Sequence, residues 1–173
     1  MILYHITDKD YQPGQIVNVR DFDGDSIYHQ SLQASQKIIN EYLSAHRPVG
    51  QPSRQLCIYA FEKPEYCVYF RKEIVIAEHS MNLYRCEMNS PQGHPMILVN
   101  QFEVISDDKW EQLSNEYWYP TKRWNLMEHM AEEMHVLEAI PITNTFINSS
   151  KMIGNNDYAD DFINANNFFN FGC

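Results

Sequence analysis

The sequence predicts a protein of the α+β class, with strands and helices mixed along one chain. Tyrosine and phenylalanine, which favour the pleated surface of a sheet, occur eleven and nine times. Residues 31–46 form the clearest helix, because apolar side chains recur there at helical spacing: Leu32, Ile38, Ile39, Tyr42 and Leu43. A length of 173 residues fits one domain with a real core, and a hydrophobic content of 44% argues against extensive disorder.

The first half of the chain alternates between predicted strands and helices. Apolar and aromatic runs predict strands at residues 1–7, 15–19 and 55–61. The helix at residues 31–46 ends before Pro48. Another helix is expected at residues 63–72, because Pro64 suits a first helical turn.

The second half is predicted to contain more strands. They are expected at residues 74–77, 83–88 and 96–99, and around Val136, Leu137 and Ile140 with Pro141 at the strand end, with a turn at residues 91–95. Residues 106–108 are predicted to cap a helix at residues 109–119, and residues 125–130 are ambiguous.

The composition changes after residue 143, where asparagine becomes frequent. We therefore predict a domain at residues 1–143 and a C-terminal tail at residues 144–173. Its phenylalanines either dock on the domain as a terminal helix or belong to a loose segment: Phe162, Phe168, Phe169 and Phe171.

Charge and cysteine content narrow the function classes. A net charge of −10 argues against the broad phosphate-binding surface that long nucleic acids require. None of the four cysteines forms a CxxC pair, so a zinc site has little support. Cys57, Cys67 and Cys86 lie among apolar residues and are predicted to be buried free thiols. Without a signal peptide or an apolar run of membrane-spanning length, a cytoplasmic location is expected, in the producing cell or in a target cell.

The stretch AEEMHVLEAIPIT, residues 131–143, carries the main candidate for chemistry. Two carboxylates, Glu132 and Glu133, precede a mostly apolar run that predicts a strand. A carboxylate at the mouth of a strand is held more rigidly than one on a loop. The ordinary alternative is a solvated glutamate beside a strand.

Other candidates lie on or just after predicted strands. His5 lies in LYHIT, and Tyr59 and Tyr69 lie in YAFEKPEYCVY. Each of these residues alone is typical of a core or surface position. Their order, with Glu133 last, is more specific.

This order of histidine, two tyrosines and glutamate resembles the ADP-ribosyltransferases of the diphtheria-toxin-like class. The opening ILYHITDKDYQPGQIV is similar to the first strand and turn of rifampin-type ADP-ribosyltransferases. The segments QPSRQLCIYAFEKPEYCVYF, LYRCEM, NEYWYP and EEMHVLEAIPI are similar to related bacterial proteins with that fold. The similarity spans most of residues 1–143 in the right order.

The resemblance implies a split α+β fold, with two packed β-sheets, flanking helices and NAD in the cleft between them. By analogy, His5 would hydrogen-bond a ribose hydroxyl, with Thr7 beside it. Tyr59 and Tyr69 would sandwich the nicotinamide ring, whose positive charge suits aromatic faces. Glu133 would stabilise the positive charge that develops on the ribose and would accept the proton of the incoming nucleophile.

Arg54, just before the predicted strand at residues 55–61, is a further candidate for NAD binding. A guanidinium can pair bidentately with a phosphate. The ordinary alternative is a solvated loop arginine. If Arg54 binds the phosphate, Arg54→Lys is expected to weaken NAD binding while leaving stability nearly unchanged.

Two features of the 131–143 stretch depart from the family pattern. Glu132 directly precedes Glu133, so a shift of one position would exchange their roles; we favour Glu133 and expect Glu132 to face the opposite side of the strand. Ala131 stands where an acidic residue or glutamine is expected in enzymes that modify arginine. Modification of protein arginine is therefore weakly supported.

The resemblance thus predicts an NAD-dependent ADP-ribosyltransferase, acting as a bacterial toxin, effector or defence protein. NAD is its substrate, and the acceptor is an unidentified protein, nucleobase or small molecule. An NAD glycohydrolase uses the same carboxylate and remains an alternative. A catalytically silent interaction module is another, with the tail and the helix near Trp118 contacting an antitoxin or target protein.

Interpretations of the sequence as a metal-binding protein have less support than the resemblance above. Glu132-x-x-His135 matches half of a di-iron helical motif, but the second copy is missing from the sequence. His129 and His135 lack a third ligand at suitable spacing. We therefore predict no metal.

Overall fold

The computed structural model describes residues 1–21, 32–71, 81–89 and 92–170, with side chains as far as residue 168. The strands within these ranges are β1 (Ile2–Thr7), β2 (Ile16–Asn18), β3 (Ile58–Phe61), β4 (Asn82–Met88), β5 (Gly93–Pro95), β6 (Met127–Ala131) and β7 (Glu133–Ile140). The α-helices are α1 (Ala34–Ala45), α2 (Pro64–Phe70), α3 (Met96–Gln101), α4 (Trp110–Trp118), α5 (Asn144–Asn155) and α6 (Asp157–Asn170). Two 3₁₀ helices span Val19–Asp21 and Asp107–Lys109. The predicted α+β class is confirmed.

One predicted strand is wrong. Residues 96–99 begin helix α3, and strand β5 lies in the predicted turn before them. A run of four apolar residues does not distinguish a strand from a buried helix, and Ile97 and Leu98 are fully buried on α3. The strand predicted at residues 74–77 lies outside the described residues.

All neighbouring strands pair antiparallel in one sheet, in the order β2-β7-β4-β1-β3-β6-β5. The pairing between β1 and β3 has a single register pair, Tyr4 with Phe61. The expected two sheets are therefore two halves of one sheet, β2-β7-β4-β1 and β3-β6-β5, joined at this pair.

The link between β6 and β7 shows that the sheet curls. Only Glu132 separates the two strands in sequence, yet β3, β1 and β4 lie between them in the sheet. In a flat sheet four strand spacings would place them roughly 19 Å apart, whereas consecutive Cα atoms are about 3.8 Å apart. The end of β6 therefore meets the start of β7, and the two halves face each other.

The inside of this curl is filled by side chains from both halves. The inner cluster consists of Leu3, Val17, Val19, Ile58, Ala60, Tyr84, Cys86, Met88, Ala131, Met134 and Val136, all buried. Alternate residues on the same strands point outward, as the pleat requires. Tyr59 and Phe61 thus join clusters that include residues of the α-helices.

The C-terminal helices α5 and α6 pack on the domain. The Asp161 carboxylate, fully buried, accepts the backbone N–H groups of Asn125 and Leu126, each at 2.8 Å. The Tyr66 hydroxyl donates to Asp157 at 3.0 Å. Across the described residues, no helix combines the length and apolar character needed to cross a membrane.

The predicted buried thiols are confirmed. Cys57, Cys67 and Cys86 are free and buried. Burial raises the pKa of Cys57 and of Cys86 to about 12 and raises that of Cys67 well above its ordinary value.

Candidate functional site

Glu133 is the first residue of β7, and its side chain is exposed at the end of the sheet where β2 pairs with β7. The register places Asn18 opposite Glu133, and the Asn18 side-chain amide donates to Glu133 Oε2 at 3.2 Å. The Asn18 Oδ1 accepts the Arg20 backbone N–H at 3.0 Å. This bond turns the Asn18 NH₂ group toward the carboxylate, because only the carbonyl end of an amide can accept.

Glu133 lines an open cavity of about 510 Å³, which we call the Glu133 cavity. This volume is within the range of about 300–1,000 Å³ that is usual for small-molecule sites. Glu87, Glu132 and His135 also line it. Three carboxylates at one cavity favour a cationic group and disfavour a phosphate.

A loop after α1 forms another wall of the Glu133 cavity, through Gly50 and Pro52. Arg47 holds this loop by donating to the carbonyl groups of Ser44 at 2.6 Å and Gln51 at 3.2 Å. Gly50 has φ +89°, a conformation that glycine adopts without steric cost. The backbone conformation of this loop and the Arg47 side chain therefore shape this wall of the cavity.

Glu132 shares the Glu133 cavity, contrary to the expectation from strand alternation. Both residues line it. Alternation applies within one continuous strand, whereas Glu132 lies in the bend between β6 and β7. Two adjacent carboxylates can therefore act at one site.

His5 lies on β1, half-buried, and its Nδ1 is 2.7 Å from the Tyr59 carbonyl oxygen. A carbonyl only accepts, so Nδ1 carries the proton. Burial lowers the pKa of His5 to about 4, outweighing the opposing effect of the bond to Tyr59. His5 is thus neutral at pH 7, and its Nε2 carries the lone pair.

Tyr59 and Thr7 both form hydrogen bonds with other parts of the chain. The Tyr59 ring is buried in the cluster covered by α1, α3 and α4, and its hydroxyl donates to the Arg54 carbonyl at 2.7 Å. The Thr7 hydroxyl accepts the Lys9 backbone N–H at 3.2 Å in the turn after β1. Neither residue lines the Glu133 cavity.

The Arg54 guanidinium is buried rather than solvated. It pairs with the Glu128 carboxylate, donates to the Tyr117 hydroxyl and donates through Nε to Asn40 Oδ1 at 2.6 Å. Its Nη1 is also 4.0 Å from the Met130 sulfur. Arg54 therefore ties together α1, α4 and β6.

Tyr69, on α2, lies in a different cluster from Tyr59, with its ring centroid 6.1 Å from that of Tyr158 on α6. Tyr69 and Arg54 both line a second cavity of about 230 Å³, which we call the Tyr69 cavity. Met130 lines the Glu133 cavity and contacts Arg54, so this contact lies between the two cavities.

The structure brings some of the predicted site residues together, but not at Glu133. Tyr59 is hydrogen-bonded to both His5 and Arg54, Arg54 and Tyr69 share one cavity, and Glu133 lines another. Thr7 is bonded within the turn after β1. Sequence reasoning missed Asn18 and Glu87, which join Glu133 through strand register. It also missed Glu128, whose role depends on its ion pair with Arg54, 74 positions away. No sequence motif marks such long-range partners.

Among the described residues, no group of three His, Cys, Asp or Glu side chains is arranged to hold a metal ion. No model of a known protein family matches the chain, and no curated protein is significantly similar to it in sequence.

Proposed function

We propose that this protein is an ADP-ribosyltransferase that cleaves NAD and moves ADP-ribose to an acceptor of unidentified class. Glu133 is the catalytic carboxylate. The observation that carries the proposal is the carboxylate of Glu133, oriented by Asn18 at the wall of a cavity of ligand size. The order of residues in the sequence, which resembles that of such enzymes, adds to it.

The chemistry suits a fixed negative charge. When the bond between nicotinamide and ribose breaks, its electron pair leaves with the nicotinamide nitrogen, and positive charge develops on the ribose. A carboxylate already in place stabilises that charge without reorganisation. The acceptor then attacks the anomeric carbon and gives its proton to Glu133. Water in place of the acceptor gives NAD hydrolysis.

The charge of the cavity limits how NAD is oriented. Glu87, Glu132 and Glu133 attract the cationic nicotinamide end and repel the pyrophosphate. The pyrophosphate is therefore expected to lie outside the Glu133 cavity. Within the proposal, His5 Nε2 accepts a hydrogen bond from a ribose hydroxyl. The Tyr59 carbonyl positions the His5 ring by accepting a hydrogen bond from Nδ1.

Glu133→Gln tests the proposal most directly. It keeps the size of the side chain and removes the charge, so NAD binding is expected to survive while nicotinamide release falls about a hundredfold or more. Release is measured chromatographically, with cell lysate and with water as acceptors. Glu138→Gln is the matched control, because Glu138 lies on the same strand and pairs with Arg85 at the surface. Full activity in Glu133→Gln contradicts the role.

Glu132→Gln separates the two carboxylates. Because Glu132 lines the same cavity without the Asn18 contact, a smaller loss of turnover is expected than for Glu133→Gln. A larger loss in Glu132→Gln than in Glu133→Gln would assign catalysis to Glu132, with the same reaction mechanism.

A second candidate is a binding module without catalysis. It is favoured by the placement of the Tyr59 ring in the core and of Tyr69 in another cavity, away from Glu133. A substrate that binds only the folded state raises the melting temperature. Absence of both a thermal shift with millimolar NAD and nicotinamide release supports the module and rejects the enzyme.

A further inference from the structure

The Tyr69 cavity has the form of a small-molecule site independent of Glu133. Its aromatic walls are Tyr69 and Phe70 from α2 and Tyr158 from α6. Its residues do not overlap with those of the Glu133 cavity. At about 230 Å³ it is smaller than the cavities of drug-sized ligands, which limits an occupant to one or two rings.

The aromatic wall is fixed by the C-terminal helices. A Cβ atom added at Gly154 on α5 would lie 3.3 Å from Tyr69 Cε2, so this helix approaches the ring closely. The Tyr158 ring is tilted by 50° against Tyr69. Rings held in this way present faces and edges suited to a planar ligand.

The charges at the cavity favour a neutral ligand. Arg54 and Glu128 both line it and pair with each other, so their charges cancel. A charged ligand would compete for one member and leave the other buried without its partner, which is costly.

Polar recognition is provided at the outer side of the cavity. Asn100, exposed on α3, has an amide that both donates and accepts. Burial raises the pKa of Tyr69, which therefore keeps its hydroxyl proton at neutral pH. A ligand with a donor beside an acceptor matches the Asn100 amide.

We infer that the Tyr69 cavity binds a neutral nitrogen heterocycle of nucleobase size, packed among Tyr69, Phe70 and Tyr158 and hydrogen-bonded by Asn100. Because Gly154 and Tyr158 belong to α5 and α6, the C-terminal helices complete this site. The inference does not depend on NAD cleavage.

The test is calorimetric titration of the full chain with adenine, and with benzoate as a planar anion of similar size. Val99→Phe should fill the cavity from α3 and weaken adenine binding by about tenfold or more. Val104→Phe is the matched control, because Val104 is 77% exposed after α3 and does not line the cavity. Adenine binding is expected in the wild type and the control, and benzoate binding is expected to be much weaker.

Absence of adenine binding, equal affinity in Val99→Phe, or equal affinity for benzoate overturns the inference. A wild-type measurement avoids dependence on folding of the variant: adenine should shift the ring resonances of Tyr69 and Tyr158 and not those of His135. Shifts at His135 alone place adenine in the Glu133 cavity and also overturn it. Glu133→Gln is expected to keep adenine binding, so failure of this site and failure of the proposed catalysis are separate results.

Discussion

Arg54 shows how one residue can organise a core. Its guanidinium bonds with Asn40, Tyr117 and Glu128, and its carbonyl accepts the Tyr59 hydroxyl. Removing one member of a buried ion pair leaves an uncompensated charge, which costs more than the pair contributes. If Arg54 bound an NAD phosphate, Arg54→Lys would leave stability nearly unchanged. The buried network instead predicts that Arg54→Lys lowers stability.

Arg54→Met is expected to lower the free energy of unfolding by roughly 3–5 kcal/mol, because Glu128 stays buried without its partner. Arg54→Lys should cost less, since lysine keeps the charge but lacks the planar fork that reaches both Asn40 and Glu128. Denaturant unfolding measures both. Arg85→Met is the control: the Arg85–Glu138 pair is 41% and 55% exposed, and such pairs are worth about 0–1 kcal/mol. Equal losses at Arg54 and Arg85 would contradict the role of the buried pair.

His94 is expected to make the fold sensitive to acid. It is fully buried and stacked on Tyr117, with Nδ1 donating to the Tyr117 carbonyl at 3.1 Å. Burial lowers the pKa of His94 from 6.5 to about 4, although Glu128 nearby favours the charged form. The unfolded chain therefore takes up the proton first, and stability is lost as the pH falls from about 6.5 to about 4, by at most about 3 kcal/mol.

His94→Asn checks this expectation, because the asparagine NH₂ group can replace the Nδ1 donor without titrating. Unfolding free energies at pH 7, 5.5 and 4.5 should fall less steeply in the variant. His5, whose pKa is also lowered to about 4 by burial, remains and maintains part of the slope. An unchanged pH dependence in the variant would rule out His94 as a source.

At the scale of elements, the C-terminal helices are part of the folded domain. Ile153 on α5 joins the cluster of Tyr66 and Cys67, and Ala165 on α6 is fully buried in the cluster that contains Tyr59. Asp161 accepts backbone N–H groups from the segment just before β6. Helix α6 therefore fixes the entry to the strand that leads to Glu132 and Glu133.

Asp161→Ala is expected to loosen this connection. It leaves the N–H groups of Asn125 and Leu126 without their acceptor, at a cost of roughly 1–3 kcal/mol for the buried Leu126 group and less for the partly buried Asn125 group. Faster hydrogen exchange of the Leu126 amide and a lower melting temperature measure the effect. Asp160→Ala provides the comparison, since Asp160 is the exposed neighbour on the same helix. Similar exchange in the two variants would argue against the contact.

The whole molecule is organised by the curl of its sheet. The inner cluster takes Leu3 and Tyr84 from one half and Ile58 and Ala60 from the other. Contacts of this kind join segments far apart in sequence. Of the three buried thiols, Cys86 belongs to this inner cluster, whereas Cys57 and Cys67 belong to the clusters outside the curl.

Cys57, Cys67 and Cys86 are expected to resist a thiol reagent in the folded protein, because burial excludes the reagent and raises the pKa of each thiol. A Cys173→Ser variant leaves only these three thiols. Their labelling rate should follow global unfolding across denaturant concentrations. Rapid labelling in native buffer would indicate local opening around the labelled thiol.

Features that depend on local pattern could be predicted from the sequence alone. Strand β1, helix α1, strand β4 and the buried thiols follow from periodicity and apolar neighbours, and the structure agrees with them. The order of His5, Tyr59 and Glu133 was also visible in the sequence, although their spatial relation was not.

The remaining features depend on long-range packing. Residues 96–99 form a helix because tertiary packing favours it over a strand, and a short apolar run is compatible with both. Glu132 reached the same cavity as Glu133 because the chain bends between two halves of the sheet. Arg54 became a core residue because Glu128, distant in sequence, lies beside it. Each outcome depends on long-range pairing, which no local pattern encodes.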